Sequence, residues 1–176
     1  LSPDKPRVLR EIWRILKDHG RAVIADIVSD RTVPPQMRAN GQLWGECISG
    51  ALTEEAFLAE FERAGFYGIS VLQKTLWREV EGYRFYSLTL RGYKFKKKAL
   101  TSYAGQQAVY LGPMKATLDE EGCLYPRGVP VEVSVEIAAK LAAAPYAGNF
   151  IVVDGQGSAF VVTEDSTCCD SIDKCC

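Results

Sequence analysis

The segment from residue 4 to residue 30 constrains the fold more than any other part of the chain. In its first half, apolar residues recur every three or four positions, as on one face of an amphipathic helix: Val8, Leu9, Ile12, Trp13, Ile15 and Leu16. Asp4 is placed to cap this helix, and Gly20 to end it in the left-handed conformation. The nearly continuous apolar run at residues 22–28 predicts a central strand of a sheet covered on both faces. A helix followed by a buried strand predicts an α/β domain.

The composition of the 176-residue chain excludes several classes of protein. Apolar residues make up 47% of the chain, which is enough for a packed core. A net charge of −1 predicts no nucleic-acid partner and no membrane-surface partner. No apolar run approaches the roughly 20 residues that a membrane-spanning helix needs, and the N-terminus lacks a signal-peptide pattern. We therefore expect a cytoplasmic protein.

The pattern after the first strand predicts further elements of the same domain. They are a loop over 29–41, a short helix or turn over 43–52, a helix from Thr53 to Gly65, and two strands over 68–80 and 83–95. The loop leaves the carboxyl end of a strand, which is where α/β sheets place their sites. Glu81 and Gly82 separate the two strands, so we expect an antiparallel hairpin.

A smaller α+β lobe is predicted after a polar linker. Its elements are short strands around Gly112-Pro113, a strand alternating through Val129, Val131 and Val133, a helix over 135–144 that Ser134 caps and Pro145 ends, and a strand over 150–153. We predict domain boundaries at 1–100 and 101–157, followed by a cysteine-rich flexible tail over 158–176. The lysines at 94–98 favour a solvated strand end over a phosphate-binding patch.

The six cysteines are unevenly distributed, with four of them in the last nine residues: Cys168, Cys169, Cys175 and Cys176. A disulfide scaffold would spread its cysteines along the chain. Thiolates are soft donors, so two cysteine pairs five residues apart can fold over one thiophilic ion. The spacing differs from the usual zinc pattern. A metal or metalloid site and a disordered tail both remain open.

Cys47 lies in a different setting, between Gly45 and Gly50 and close to the end of a predicted strand. Small neighbours allow close approach to a bound species, while a buried structural cysteine is the alternative. The chain has one histidine, His19, so it cannot build a Ser-His-Asp, Cys-His or multi-histidine site by itself. It also lacks the G-x-G-x-x-G and Walker sequences.

Several segments carry a resemblance to a known family. The segment VLREIWRILKDHGRAVIADIV resembles the late helix and fifth strand of class I S-adenosylmethionine-dependent methyltransferases. LWGECISGAL and the hairpin ending in YRFYSLTLRGYKF resemble one branch, the arsenite methyltransferases. The lobe over 107–150 resembles that family's C-terminal domain, in a subgroup whose chains end in cysteine pairs.

The resemblance implies a fold of two parts: the C-terminal half of a Rossmann-like methyltransferase sheet, ending in an antiparallel hairpin, and then a small α+β lobe. In the family, the glycine-rich cofactor loop and the acidic ribose-binding residue lie upstream of the segments matched here. The resemblance therefore implies an upstream cofactor-binding half as partner, and a chain that is inactive by itself.

The resemblance also implies a reaction and a site. Methyl transfers from S-adenosylmethionine to arsenic(III) held by cysteine thiolates, and the attacking lone pair needs no general base. Cys47 matches one arsenic-binding cysteine, with Trp44 and Gly45 beside it in the substrate-binding segment. Tyr83 stands where the family has a second cysteine, so we hypothesise that a tail cysteine completes the site.

Two other functions remain open at this point. One is a non-catalytic, thiol-rich module that binds a soft metal or metalloid through its tail. The other is a methyltransferase for a small organic acceptor, in which Cys47 only packs. A sheet without its first strands would expose an edge and a face, so we also expect the isolated chain to form a homodimer.

Overall fold

The computed structural model describes residues 4–45, 47–96, 102–154 and 159–160. The chain divides between residues 97 and 98 into two compact units, which we call the first and second unit. In the described residues, no helix combines the length and the apolar character that crossing a bilayer requires.

The first unit is a four-stranded sheet with helices. Its elements are α1 (Lys5–Ile15), β1 (Arg21–Ser29), α2 (Pro35–Arg38), α3 (Gly41–Gly45), β2 (Leu52–Thr53), α4 (Glu54–Ala64), β3 (Phe66–Val80) and β4 (Tyr83–Lys94). The strand order is β2-β1-β4-β3, with β1 parallel to β2 and antiparallel to β4. β3 and β4 pair in antiparallel register on either side of Glu81 and Gly82.

Helix α1 begins as predicted and ends earlier than predicted. The Asp4 carboxylate accepts a hydrogen bond from the Arg7 amide at 3.0 Å, and Leu16 is the C-cap. The prediction that Gly20 takes the left-handed conformation is wrong, because His19 takes it, with φ of 57°. Lys94 explains the difference: its carbonyl accepts from the His19 amide and its amide donates to the Gly20 carbonyl, so the end of β4 holds the turn.

The helices cover one face of β1, and the loop after β1 covers the other face only near Ile27, so the prediction that both faces would be covered is wrong for the first half of the strand. Ala22 and Val28 are buried against α1 and α4, whereas Val23, on the opposite face, is 54% exposed. The predicted stripe on α1 is also too wide, since Val8 and Ile15 are exposed and Leu9 is buried. Periodicity identifies which residues share a face and does not reveal whether another element covers that face.

Two apolar clusters lie on opposite faces of this sheet, because successive strand residues point to opposite sides. The helix-side cluster consists of Leu9, Ala22, Val28, Phe57, Phe61, Phe66, Leu88 and Leu90. The loop-side cluster consists of Val33, Met37, Ile48, Ala51 and Phe85. The loop after β1 therefore packs back over the face that the helices leave free.

Lys94, at the end of β4, is buried, so the prediction of a solvated strand end is wrong at this residue. Its ammonium donates to the carbonyls of Leu16 at 2.7 Å and Arg14 at 3.1 Å, and lies 4.4 Å from the Trp13 ring centroid. The amine thus satisfies carbonyls at the C-terminal end of α1, where a positive charge is favourable. Burial lowers the pKa of Lys94, and the nearby charge of Lys96 adds to this effect.

We expect Lys94→Met to lower the melting temperature of the first unit by about 5 °C or more. The substitution keeps the apolar stem and leaves buried carbonyls without a donor. Lys96→Met is the matched control, since Lys96 is exposed and two residues away. Thermal denaturation followed by tryptophan fluorescence measures the effect, and equal melting temperatures for the two variants would contradict it.

The second unit contains β5 (Gln107–Tyr110), β6 (Ala116–Leu118), β7 (Leu124–Pro126), β8 (Pro130–Glu132), α5 (Val135–Leu141), β9 (Phe150–Val153) and β10 (Ala159–Phe160). One sheet has the order β10-β9-β5-β8, and β6 pairs with β7. Ser134 caps α5 as predicted, by accepting from the Ile137 amide at 3.2 Å. The predicted helix over 135–144 is too long, because Ala142 is already the C-cap.

A buried lysine joins α5 to the acidic turn after β6. Lys140 is 1% exposed, and its ammonium donates to Glu121 and, at 3.2 Å, to Glu120. Burial by itself would lower the pKa of Lys140, but the hydrogen bond to Glu121 and the neighbouring carboxylates outweigh it and raise that pKa. The Tyr125 hydroxyl donates to Asp119 at 2.9 Å, so the same turn also satisfies a buried phenol.

Candidate functional site

Cys47 lies in a short loop between α3 and β2 with an unusual backbone conformation. Its φ is 65°, in the left-handed region that residues with a side chain rarely adopt. It is a free thiol and is half-buried, so it is accessible to a small ligand. Strained backbone of this kind persists where the surrounding structure enforces it.

The residues after Cys47 hold this conformation in place. Ile48 is fully buried in the loop-side cluster, and its amide donates to the Leu43 carbonyl at 3.0 Å. The Ser49 hydroxyl donates to the Met37 carbonyl at 2.8 Å and lies 3.1 Å from the Asn40 carbonyl. The thiol is therefore carried on a backbone anchored at two successive residues.

Tyr83 opens β4 and packs against the same loop-side cluster that contains Ile48. The Arg31 guanidinium lies 4.2 Å from the centroid of its ring and donates to the Gly82 carbonyl at 2.7 Å. The structure thus brings Tyr83 and the neighbour of Cys47 to one face of the sheet. Tyr83 therefore contributes an aromatic ring to this face, and no thiol.

Trp44 and Gly45 are the last two residues of α3, so their backbone directly precedes the loop that carries Cys47. The four tail cysteines, Cys168, Cys169, Cys175 and Cys176, lie outside the described residues, and the predicted four-thiol site stays a prediction. In the ranges that the structure covers, no three His, Cys, Asp or Glu residues are grouped to hold a metal ion.

One concave site escaped the sequence analysis. A cavity of about 710 Å³ lies where β1 ends and α4 begins, and its lining includes Asp30, Glu54, Glu55, Leu58, Lys74 and Tyr86. These residues come from four separate segments, so no contiguous motif marks the cavity. The one sequence feature that pointed to this place was the loop predicted after β1, because α/β sheets place their sites at the carboxyl ends of strands.

The described residues do not by themselves form a cradle for S-adenosylmethionine. Three connections lead from a strand to a helix: residues 30–34, the junction of Thr53 and Glu54, and residues 133–134. None of the three contains glycine. A glycine-rich turn that lets the backbone approach a cofactor is thus missing from these connections.

The fold and the site define a class: a mixed α/β protein with a partly exposed, backbone-strained cysteine in the connection between two parallel strands, β1 and β2. The chain is related to the arsenite methyltransferases. It is 30% identical over 164 residues to the human arsenite methyltransferase, covering 86% of this chain and 43% of that protein. It is 32% identical over 171 residues to the rat enzyme, covering 90% and 46%.

A solved structure shows the same relationship. The crystal structure of an arsenic(III) S-adenosylmethionine methyltransferase from Chlamydomonas reinhardtii is similar with a TM-score of 0.53 and 29% identity, over 92% of this chain and 58% of that one. The mixed α/β fold therefore resembles that of an arsenite methyltransferase. Residues 97–175 match a domain of unknown function, DUF8838. The chain spans less than half the length of its human and rat relatives.

Proposed function

We propose that this chain is the substrate-binding, C-terminal portion of an enzyme that transfers a methyl group from S-adenosylmethionine to thiolate-bound arsenic(III). Cys47 carries the proposal: a half-buried, free thiol on a strained and anchored backbone, in a chain related to arsenite methyltransferases. Arsenic(III) is a soft, thiophilic centre, and thiolate is the protein ligand that suits it.

The proposed roles of individual residues follow from this chemistry. The Cys47 thiolate holds the arsenic, whose lone pair carries no proton and needs no base to attack a methyl sulfonium. Trp44, Gly45 and Tyr83 belong to the substrate-binding surface around it. Because Tyr83 supplies no thiol, we include in the proposal that tail cysteines complete the arsenic coordination. The test is a variant in which four tail cysteines are replaced together: Cys168, Cys169, Cys175 and Cys176. Unchanged arsenite affinity of this variant would contradict the coordination of arsenic by the tail.

The reaction itself is tested on the parent enzyme. Purified parent enzyme is incubated with S-adenosylmethionine, arsenite and a small thiol, and the arsenic species are separated and quantified by mass spectrometry. Methylated arsenic is the expected product. Methylation of a small organic acceptor with no methylated arsenic would overturn the proposal in favour of the organic-acceptor function.

The proposal assigns cofactor binding to a partner segment upstream. The free edge of β1 supports this assignment. β2 pairs with β1 only at Val28 and Ser29, and the rest of that edge of β1 has no partner among the described strands. We expect S-adenosylmethionine to show no measurable binding to this chain alone by calorimetry. Tight binding would contradict the assignment, and the parent enzyme is the positive control.

The same free edge and the exposed Val23 favour self-association of the chain when it is isolated. We expect a homodimer in size-exclusion chromatography with light scattering. Adding the upstream half should convert the homodimer into a complex with one copy of this chain and one copy of the upstream half, because the second chain and the upstream half would compete for the free edge of β1. A monomer at all concentrations would count against the prediction.

A further inference from the structure

The cavity at the end of β1 lies on the opposite side of the sheet from the Cys47 loop. Its apolar walls, Leu58 and Tyr86, pack against the helix-side cluster. Ile48, next to Cys47, belongs to the loop-side cluster with Phe85. Adjacent strand residues point to opposite faces, so Tyr86 and Phe85 mark two separate surfaces. The cavity is therefore distinct from the surface proposed for arsenic.

The charges that line the cavity are unequally satisfied. The Lys74 ammonium pairs with Glu54 and lies 4.9 Å from the Tyr86 ring centroid, so those two charges balance. Arg31 also lines the cavity, and its guanidinium donates to the Gly82 carbonyl and stacks on Tyr83. No lysine or arginine of the described residues forms an ion pair with Asp30 or Glu55. Three carboxylates, Asp30, Glu54 and Glu55, and two cations, Arg31 and Lys74, line the cavity, so its net charge is −1.

The positive end of α4 does not reverse this sign. The Thr53 hydroxyl accepts from the Ala56 amide at 3.2 Å, so one free amide of the first turn is already capped. Glu54 and Glu55 occupy that same turn, where carboxylates offset the helix dipole. An anionic ligand would meet three carboxylates there, since Asp30 also lines the cavity.

We propose that this cavity binds a small organic cation, an amine with an apolar body. Its ammonium group is held by the carboxylates of Asp30 and Glu55, and its body contacts Leu58 and Tyr86. The volume of about 710 Å³ is within the range of small-molecule sites. The site is independent of the proposed arsenic chemistry and does not use Cys47.

The first test is an NMR titration of the full chain with two probes of similar shape and opposite charge, phenethylamine and 3-phenylpropionate at pH 7. We expect saturable shifts for the amine at the amides of residues 30–32 and 53–58, and binding about tenfold tighter than that of the carboxylate. Equal affinities for the two probes, or shifts confined to other residues, would overturn the proposal.

Three variants separate recognition from damage to the fold. Glu55→Gln should weaken phenethylamine binding about fivefold, as expected for loss of one charge contact from an exposed carboxylate. Glu62→Gln, on the same helix and outside the cavity lining, should bind as the parent chain does. Lys74→Gln should strengthen binding, because it frees Glu54. Unchanged affinity for Glu55→Gln, or weaker binding for Lys74→Gln, would refute the site.

Discussion

Replacing Cys47 with serine is expected to lower the arsenite affinity of the chain at least tenfold and to abolish arsenic methylation by the parent enzyme. A hydroxyl is a hard donor that stays protonated at neutral pH, so it does not replace a thiolate as a ligand for a soft centre. Serine meets the same backbone requirement at φ of 65°, so the loop should keep its conformation. Bound arsenic after gel filtration, measured by mass spectrometry, gives the affinity.

Cys123→Ser is the matched control, because Cys123 is the other free and half-buried cysteine of the described residues and belongs to the second unit. We expect it to keep full arsenite affinity. If Cys47→Ser also keeps full affinity, the tail becomes the main binding element and the thiol-rich module becomes the better description. The four-cysteine tail variant then distinguishes that outcome from an absence of specific binding.

Lys140→Met is expected to destabilise the second unit by about 3–5 kcal/mol. The methionine keeps the volume of the side chain but removes the cation from Glu120, from Glu121 and from the buried Asp119 carboxylate, which lies 3.9 Å from the ammonium. Removing one partner of a buried ion pair costs more than the pair contributes, since the remaining charges stay partly desolvated. Lys115→Met is the control, because Lys115 is exposed in the same unit.

The measurement must report on the second unit itself. The three tryptophans, Trp13, Trp44 and Trp77, all lie in the first unit, so tryptophan fluorescence would miss the change. Hydrogen exchange of the amides in β5 and α5 reports it directly, and we expect their protection to fall sharply. Protection equal to that of Lys115→Met would show that the buried ion network contributes little.

The same network predicts a loss of stability at alkaline pH. The pKa of Lys140 is raised from an ordinary value of 10.5, and burial raises the pKa of Tyr125 from 10.0. A group whose pKa is raised by folding stabilises the protein below its unfolded value, and this contribution disappears as the pH rises through the folded value. Exchange protection in the second unit should therefore decrease above pH 10.

Local sequence patterns predicted the structure correctly where the stabilising contact joins residues close in sequence. Asp4 and Ser134 cap their helices as predicted because each accepts from an amide three residues away. The short helix or turn predicted over 43–52 is confirmed by α3. The prediction of a loop throughout 29–41 is wrong, because α2 begins at Pro35, and proline is tolerated in the first turn of a helix. The sequence did not reveal that Cys47 would be half-buried with a positive φ, because its neighbours Ile48 and Ser49 are anchored by α2 and α3.

Long-range contacts account for what the sequence did not reveal. The bonds from Lys94 to α1 join residues about 80 positions apart, so nothing near Lys94 marks it as buried. The backbone bonds of Lys94 with His19 and Gly20 are equally long-range, and they place the left-handed conformation at His19 and not at Gly20. The helix-and-strand segment at the start of the chain was read correctly as α/β, because its apolar spacing is local. Which face of that strand is covered depends on α4 and on the loop after β1, and packing between distant segments is a property of the folded chain.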